Sequence, residues 1–266
     1  MEIEVLYPIY DLDKNDVCRL HNSIQSIISN KDHNFVFCFS DLGKNKSLDL
    51  IKTIIKKFKY TYEKGEYPFN KSRCFNLGVK KLIKNEIFIL SDIDIVIREN
   101  FINDLLEKLD QYSFVPSYSI PLCVDGEFCK NKSFEELRKY KLDSKWRRGR
   151  SGFTLLKRGV YFSVKGYDEN FKGWGWEDVD FRVRYLLTLK KTIKTRDMYS
   201  DDIETLHQFH KRRDMAERDF EKANFKYYNN KIASKYMDEF FNIKEKLDIN
   251  MEDLLPGKSC LYDDDK

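Results

Sequence analysis

The feature that most constrains this chain is an alternation of buried runs and amphipathic segments through residues 3–97. IEVLYPIY (3–10), NFVFCFS (34–40) and EIFILSDIDIVI (86–97) are apolar runs bounded by acids or turn residues, the pattern of buried strands. KYTYEK (59–64) reads as a shorter strand. Between them, KNDVCRLHNSIQSIIS (14–29) places Val17, Leu20, Ile24, Ile27 and Ile28 at helical spacing. SLDLIKTIIKKF (47–58) is a second amphipathic helix with Ser47 at its N-cap, and NKSRCFNLGVKKLIKN (70–85) is a third. Strand, helix, strand, helix, strand, helix, strand predicts an α/β layer with a mostly parallel, Rossmann-like central sheet flanked by helices. Such sheets bind ligands outside the carboxyl ends of their strands. Asp41 ends the second strand, and Asp92 and Asp94 end the fourth, so all three are predicted to face a crevice.

The second half has another character. FINDLLEKL (101–109) and the charged FEELRKYKLD (134–143) read as helices, while SFVPSYSIPLCV (113–124) is strand-like, with prolines marking edges or bends. GRSGFTLLKRGVYFSV (149–164) reads as strand, turn and helix start, and TIKTRDMYS (192–200) as a strand. GYDENFKGWGWEDVDFRVRYLLTL (166–189) is a Gly- and Trp-rich loop running into a helix, and the charged stretch that follows residue 214 is predicted to be helical.

Composition narrows the class. The 48 basic and 44 acidic residues nearly cancel, which gives no argument for nucleic acid. No apolar run reaches the roughly 18 residues that span a bilayer, and the acidic start MEIEVLYPIYD, with no basic region before an apolar core, is not expected to act as a signal peptide. None of the six cysteines forms a CxxC pair, so free thiols in a reducing compartment are expected, with Cys123–Cys129 the one pairing left open.

Three short segments carry chemistry. On an extended strand, Asp92 and Asp94 point to one face, where two carboxylates repel unless a cation lies beside them. Mg2+ and Mn2+ sites share such carboxylates with substrate phosphates. In GWGWEDVDF (173–181), glycines permit close backbone approach and indole faces suit sugar rings, whose hydroxyls bond to neighbouring acids. Glu177 and Asp178 fall where the following helix begins, a position its dipole favours for carboxylates. His207 and His210, in HQFH, can hold a cation together or singly, and the HExxH of zinc hydrolases is absent.

FNKSRCFNLGVKKLIKNEIFILSDIDIV (69–96), GWGWEDVDF (173–181) and LHQFHKRRD (206–214), in that order, resemble the glycosyltransferases of GT-A fold. The likeness is to the β1,4-galactosyltransferases and the bacterial chondroitin-polymerase-type modules, and it covers roughly residues 3–214. It implies a GT-A domain over 1–214, with a nucleotide-sugar half (1–125) and an acceptor half (126–214), and a charged helical extension over 215–266. By the resemblance, Asp94 and His210 are metal ligands, with His207 a second histidine ligand, and Asp92 faces the ribose or a metal-bound water. Asp178 is similar to the catalytic base, with Glu177 beside it orienting the acceptor. Trp174 and Trp176 are expected on the acceptor, and Pro8, Tyr10, Asp41, Arg73 and Asn76 on the nucleotide side.

The implied enzyme is an inverting, Mn2+- or Mg2+-dependent transferase that moves a hexose or N-acetylhexosamine from a UDP-sugar to a glycan hydroxyl. UDP-galactose and UDP-N-acetylgalactosamine are the favoured donors, and surface polysaccharide or a lipid-linked glycan the expected product. Trp176 departs from the family motif, which has glycine there, so the acceptor pocket is expected to differ. The lack of a Golgi-type anchor favours a bacterial or viral cytoplasmic enzyme, with the 215–266 extension touching a membrane, a second subunit or its own domain. Two rivals differ in class. A nucleotidyltransferase would want a Gly-rich phosphate loop where YPIYDLDKND stands, and a non-catalytic glycan-binding module would need neither the DxD nor the histidines.

Overall fold

The computed structural model describes residues 1–142, 149–173, 175–189, 204–210 and 216–235. Its centre is an eight-stranded sheet whose halves differ in direction. Strands β1 (Glu2–Ile9), β2 (Asn34–Asp41), β3 (Lys59–Tyr62) and β4 (Ile87–Ser91) run parallel in the order β3-β2-β1-β4. β1 is central, and every residue after Glu2 is buried, as expected of a parallel strand covered on both faces. The exception to its apolar content, Glu4, is fully satisfied by the Lys59 ammonium and the backbone N–H groups of Lys84 and Asn85.

The other half is mixed. β4 pairs antiparallel with β7 (Gly149–Lys157), which pairs antiparallel with β6 (Phe114–Asp125). Next comes β8 (Glu204–Phe209), parallel to β6, and then the two-residue β5 (Ile95–Val96) at the far edge. The α/β architecture with a mostly parallel sheet is therefore as expected. The single strand predicted over 86–97 is corrected: it ends at Ser91, turns through Asp92–Asp94, and resumes as β5 at the sheet's edge, with three strands between it and β4. The prolines of β6 do not mark an edge, because β6 is an inner strand. They fall at its two register shifts, after Pro116 and after Pro121, where a missing N–H is tolerated.

Helices α1 (Lys14–Ile28), α2 (Leu48–Ile54), α3 (Lys71–Lys81) and α4 (Phe101–Tyr112) connect or cover the strands. α1 begins in a capping box, Asp13 with Asp16. α3 begins at Asn70, whose side chain accepts from the Arg73 N–H at 2.8 Å. Gly78 lets α3 press onto the sheet, since a Cβ there would lie 2.6 Å from Leu6 and 2.9 Å from Ser40. Short helices α5 (Gly126–Cys129), α6 (Phe134–Arg138) and α7 (Arg158–Ser163) precede α8 (Glu177–Leu189) and α9 (Ala216–Lys235). The helix expected over 134–143 thus stops at Arg138, and Ser47 makes no side-chain cap. The strand expected over 192–200 and the chain after 235 lie outside the described residues.

One apolar cluster runs from β1 through α1, α3 and α4 to α8 and includes Tyr228 of α9. Cys18, Cys38, Cys74, Cys123 and Cys129 are free thiols, so the Cys123–Cys129 pairing is not made, and Cys260 lies outside the described residues. Among the described residues, no helix is long and apolar enough to cross a membrane.

Candidate active site

A cleft of about 400 Å3 opens beyond the carboxyl ends of β1 and β4, bordered by the start of α3, the start of α8 and the end of β8. Two clusters of ionisable groups face into it.

The first gathers Asp94, His207 and His210. Asp94 lies in the turn after β4, where its carbonyl accepts the Gln208 N–H at 2.9 Å. The two histidines are three apart, which on a continuous strand would send them to opposite faces. β8 ends at Phe209, and His210 turns back to the side of His207, with ring centroids 5.3 Å apart. Asp94 Oδ2 is 3.3 Å from His207 Nε2 and 3.2 Å from His210 Nε2. One ligand atom from each of the three residues falls within 4.8 Å of the others. Asp94 Oδ1 is buried and takes no hydrogen bond among the described residues. Burial opposes ionisation of Asp94, but the two histidines outweigh it and hold the carboxyl well below its usual range. Burial pushes His207 down, towards the neutral form a metal needs; at His210 burial acts the same way, but the Asp94 hydrogen bond and charge together outweigh it and push the ring up. An ionised carboxylate with an idle oxygen beside two imidazole nitrogens fits a divalent cation such as Mn2+.

The second cluster centres on Lys71, the first residue of α3. Its ammonium lies 2.8 Å from Asp92, 3.4 Å from Asp178 and 3.6 Å from Glu177. Burial alone would lower its pKa, but the three acids outweigh it and raise it well above the ordinary lysine value. Glu177 is raised as well, which in an acid favours the neutral form: burial, reinforced by the adjacent Asp178 charge, pushes it up to about 7. Asp178, at the start of α8, is not an open surface carboxylate. It is largely buried, with one oxygen near Lys71 and the other accepting from the Tyr167 hydroxyl at 3.1 Å.

The remaining expected residues divide. Pro8 and Tyr10 line the cleft, and Tyr10 stacks on Phe69. Asp41, Arg73 and Asn76 are not brought to it. Asp41 is fully buried and accepts from the Gly43 and Ser47 N–H groups and the Tyr60 hydroxyl. Arg73 pairs with Glu63 at the surface. Asn76 holds the segment 161–169, accepting from the Tyr161 hydroxyl and Tyr167 N–H and donating to the Tyr167 carbonyl and Glu169. Trp174 lies outside the described residues. Trp176 does not line the cleft, since its ring packs on Phe225 and Tyr228 of α9 at 4.6 and 5.2 Å. Its φ of +76° explains why glycine suits this position, and a bulky residue held there costs about 1–3 kcal/mol.

Sequence reasoning missed Lys71, Tyr167 and Gln208. A lysine among 48 basic residues carries no signal of its own. The helix start at Asn70 could have marked Lys71 as a residue at the sheet's ligand-binding end. Gln208 is fully buried between the two histidines in sequence, accepting from Asn22 at 2.8 Å and donating to the Arg19 carbonyl at 3.0 Å.

Comparison with known proteins gives matches of two kinds, in sequence and in structure. A family model described as the N-terminal domain of galactosyltransferase matches residues 131–211. Human chondroitin sulfate N-acetylgalactosaminyltransferase 2 is 27% identical over 166 residues, 59% of this chain and 31% of that protein. Human beta-1,4-galactosyltransferase 4 is 30% identical over 128 residues, 46% of this chain and 31% of that protein. Among solved structures, S. aureus TarS 1-349 aligns at a TM-score of 0.45 and 11% identity, covering 70% of this chain and 56% of that one. The chain spans 30% and 31% of the length of curated relatives of the two kinds. The resemblance to the galactosyltransferase and chondroitin-type family, drawn from the motifs, is borne out.

Proposed function

We propose that this chain is a metal-dependent, inverting glycosyltransferase that moves a hexose or N-acetylhexosamine from a UDP-sugar to a hydroxyl of a glycan. One observation carries the reading: Asp94, His207 and His210 line the same cleft beyond the sheet's carboxyl edge as Lys71, Asp92 and Glu177, with Asp178 held 3.4 Å from the Lys71 ammonium. The relatives' names favour galactose or N-acetylgalactosamine as the transferred sugar. A surface polysaccharide or lipid-linked glycan is the proposed product.

In this reading Asp94, His207 and His210 hold Mn2+ or Mg2+, which when bound offsets the charge of the diphosphate leaving group. Pro8, Tyr10 and Asp92 border the nucleotide. Asp178 takes the proton of the acceptor hydroxyl as its oxygen bonds to the anomeric carbon and the bond to the diphosphate breaks. A single displacement inverts that carbon. The Tyr167 hydroxyl fixes one Asp178 oxygen, leaving the other, on the Lys71 side, to face the acceptor. Glu177, with its raised pKa, suits a hydrogen-bonding role towards the acceptor rather than that of the base.

Asp178→Asn tests the assignment. Transfer should fall by about 10^2–10^4-fold, the usual worth of a general base, with Mn2+-dependent UDP binding retained. Full activity of the variant, or loss of its UDP binding, would remove Asp178 from the role.

A further inference from the structure

The turn that leads into the acids is built on left-handed backbone: Gly173, Gly175 and Trp176 have φ of +69°, +95° and +76°. Glycine takes this conformation readily and tryptophan does not, so something outside the turn must hold it. The turn also sets where α8 starts, because the Trp176 carbonyl accepts the Asp180 N–H at 3.0 Å. Glu177 and Asp178 are the first two residues of that helix.

One face of α9 supplies what holds it. Phe220 packs over Gly173 so closely that a Cβ on the glycine would lie 2.7 Å from its ring, and Glu221 approaches Gly175. One turn further on, the buried Asn224 side chain accepts the Lys172 N–H at 3.3 Å and donates to the carbonyls of Lys172 at 2.9 Å and Gly175 at 3.0 Å. Phe225 and Tyr228 then receive the Trp176 ring. Lys231 closes the row by bridging Asp180 of α8 and Asp168, both at 2.6 Å. These contacts recur at the three- and four-residue spacing of a single helical stripe.

We infer that α9, although it follows the motif-bearing part of the chain, sets the geometry of the acids, with Trp176 and Asn224 as positioning residues for Glu177 and Asp178. Trp176 is then the anchor of the catalytic turn to α9 and not an acceptor-stacking residue. The inference rests on the proposed roles of Glu177 and Asp178. The coupling of α9 to the turn, however, can be measured without activity.

The experiment compares the full chain with Asn224→Ala and with Trp176→Gly, the second keeping the left-handed backbone at ease while deleting the anchor. Hydrogen exchange at the Gly173 and Asp180 amides, whose own acceptors are untouched, should quicken about tenfold in both variants, with Val5 and Ile89 unchanged. With UDP-sugar and Mn2+, kcat should fall about 100-fold at unchanged donor KM, the effect of displacing a reacting group by about an ångström. Unchanged exchange at Gly173 and Asp180, or a lowered melting temperature with kcat kept, would overturn the inference and make α9 a brace for the fold alone. Faster exchange in both variants, with no transfer by the unsubstituted protein on any UDP-sugar, would sink the transferase reading while supporting the coupling.

Discussion

Asp94 draws its function from its neighbours rather than from its place in a motif. It lies in a turn, buried, with one oxygen shared between His207 and His210 and the other idle. The fixed approach of the histidines depends on Gln208, whose side chain ties β8 to α1 through Asn22 and Arg19. Gln208→Ala should therefore weaken Mn2+ binding by about 10–100-fold, the usual cost of losing a group that orients metal ligands. Calorimetric titration of Mn2+ into both proteins checks this, and equal affinities would show that β8 needs no such tie. The proposed ligands were legible because the Asp92–Asp94 pair, GWGWEDVDF and HQFH follow one another in a family's order, whereas acids two apart alone are common in this chain. Lys71 was not, since a cation's value here lies in three acids that converge from distant segments. Asp41 was placed by the correct rule about strand ends, yet the Gly43–Ser47 loop and Tyr60 take up its carboxylate.

Elements were legible where periodicity is strong and hidden where it continues through a turn. β1, β2 and α1 follow from apolar spacing, whereas the helix expected over 47–58 stops at Ile54, where Ile55 turns to extended backbone. FILSDIDIVI reads as one strand because Ile93, Ile95 and Ile97 keep the alternation going, while the chain breaks at Asp92 and crosses from the middle of the sheet to its edge. The role of α9 was hidden because its contacts with the 168–180 segment are long-range. Its docking has a pH signature. Burial would raise the Asp168 pKa, but Lys231, the Asn170 N–H and Tyr227 outweigh it and hold the carboxyl at about 2, below its ordinary 3.8. A depressed acid stabilises the fold above its unfolded pKa, and that contribution is lost as pH falls through the folded value. Stability worth about 2 kcal/mol should thus disappear between about pH 4 and pH 2. Lys231→Met should flatten that part of the profile in urea titrations. A profile identical to that of the unsubstituted protein would mean that the Lys231–Asp168 contact contributes nothing to stability.

At the scale of the whole molecule, the two halves of the sheet divide the work. The parallel half ends in the cleft-lining residues Pro8, Tyr10 and Asp92, proposed above to border the nucleotide, and the mixed half brings His207 and His210 back to the same cleft from the far side. The α/β class was legible from the first hundred or so residues, because parallel strands buried on both faces need long apolar runs. The antiparallel half was not, because its strand order, β7 then β6 then β8, depends on pairings across many residues that local pattern does not encode. The central claim is a UDP-sugar site completed by a divalent cation, and thermal stability with UDP and Mn2+, separately and together, tests it most directly. Together, at about 100 times the dissociation constant, they should add about 2.7 kcal/mol and raise the melting temperature, and chelator should abolish the gain. An equal rise with UDP in the presence of chelator, or no rise with any nucleotide and metal, would contradict the account.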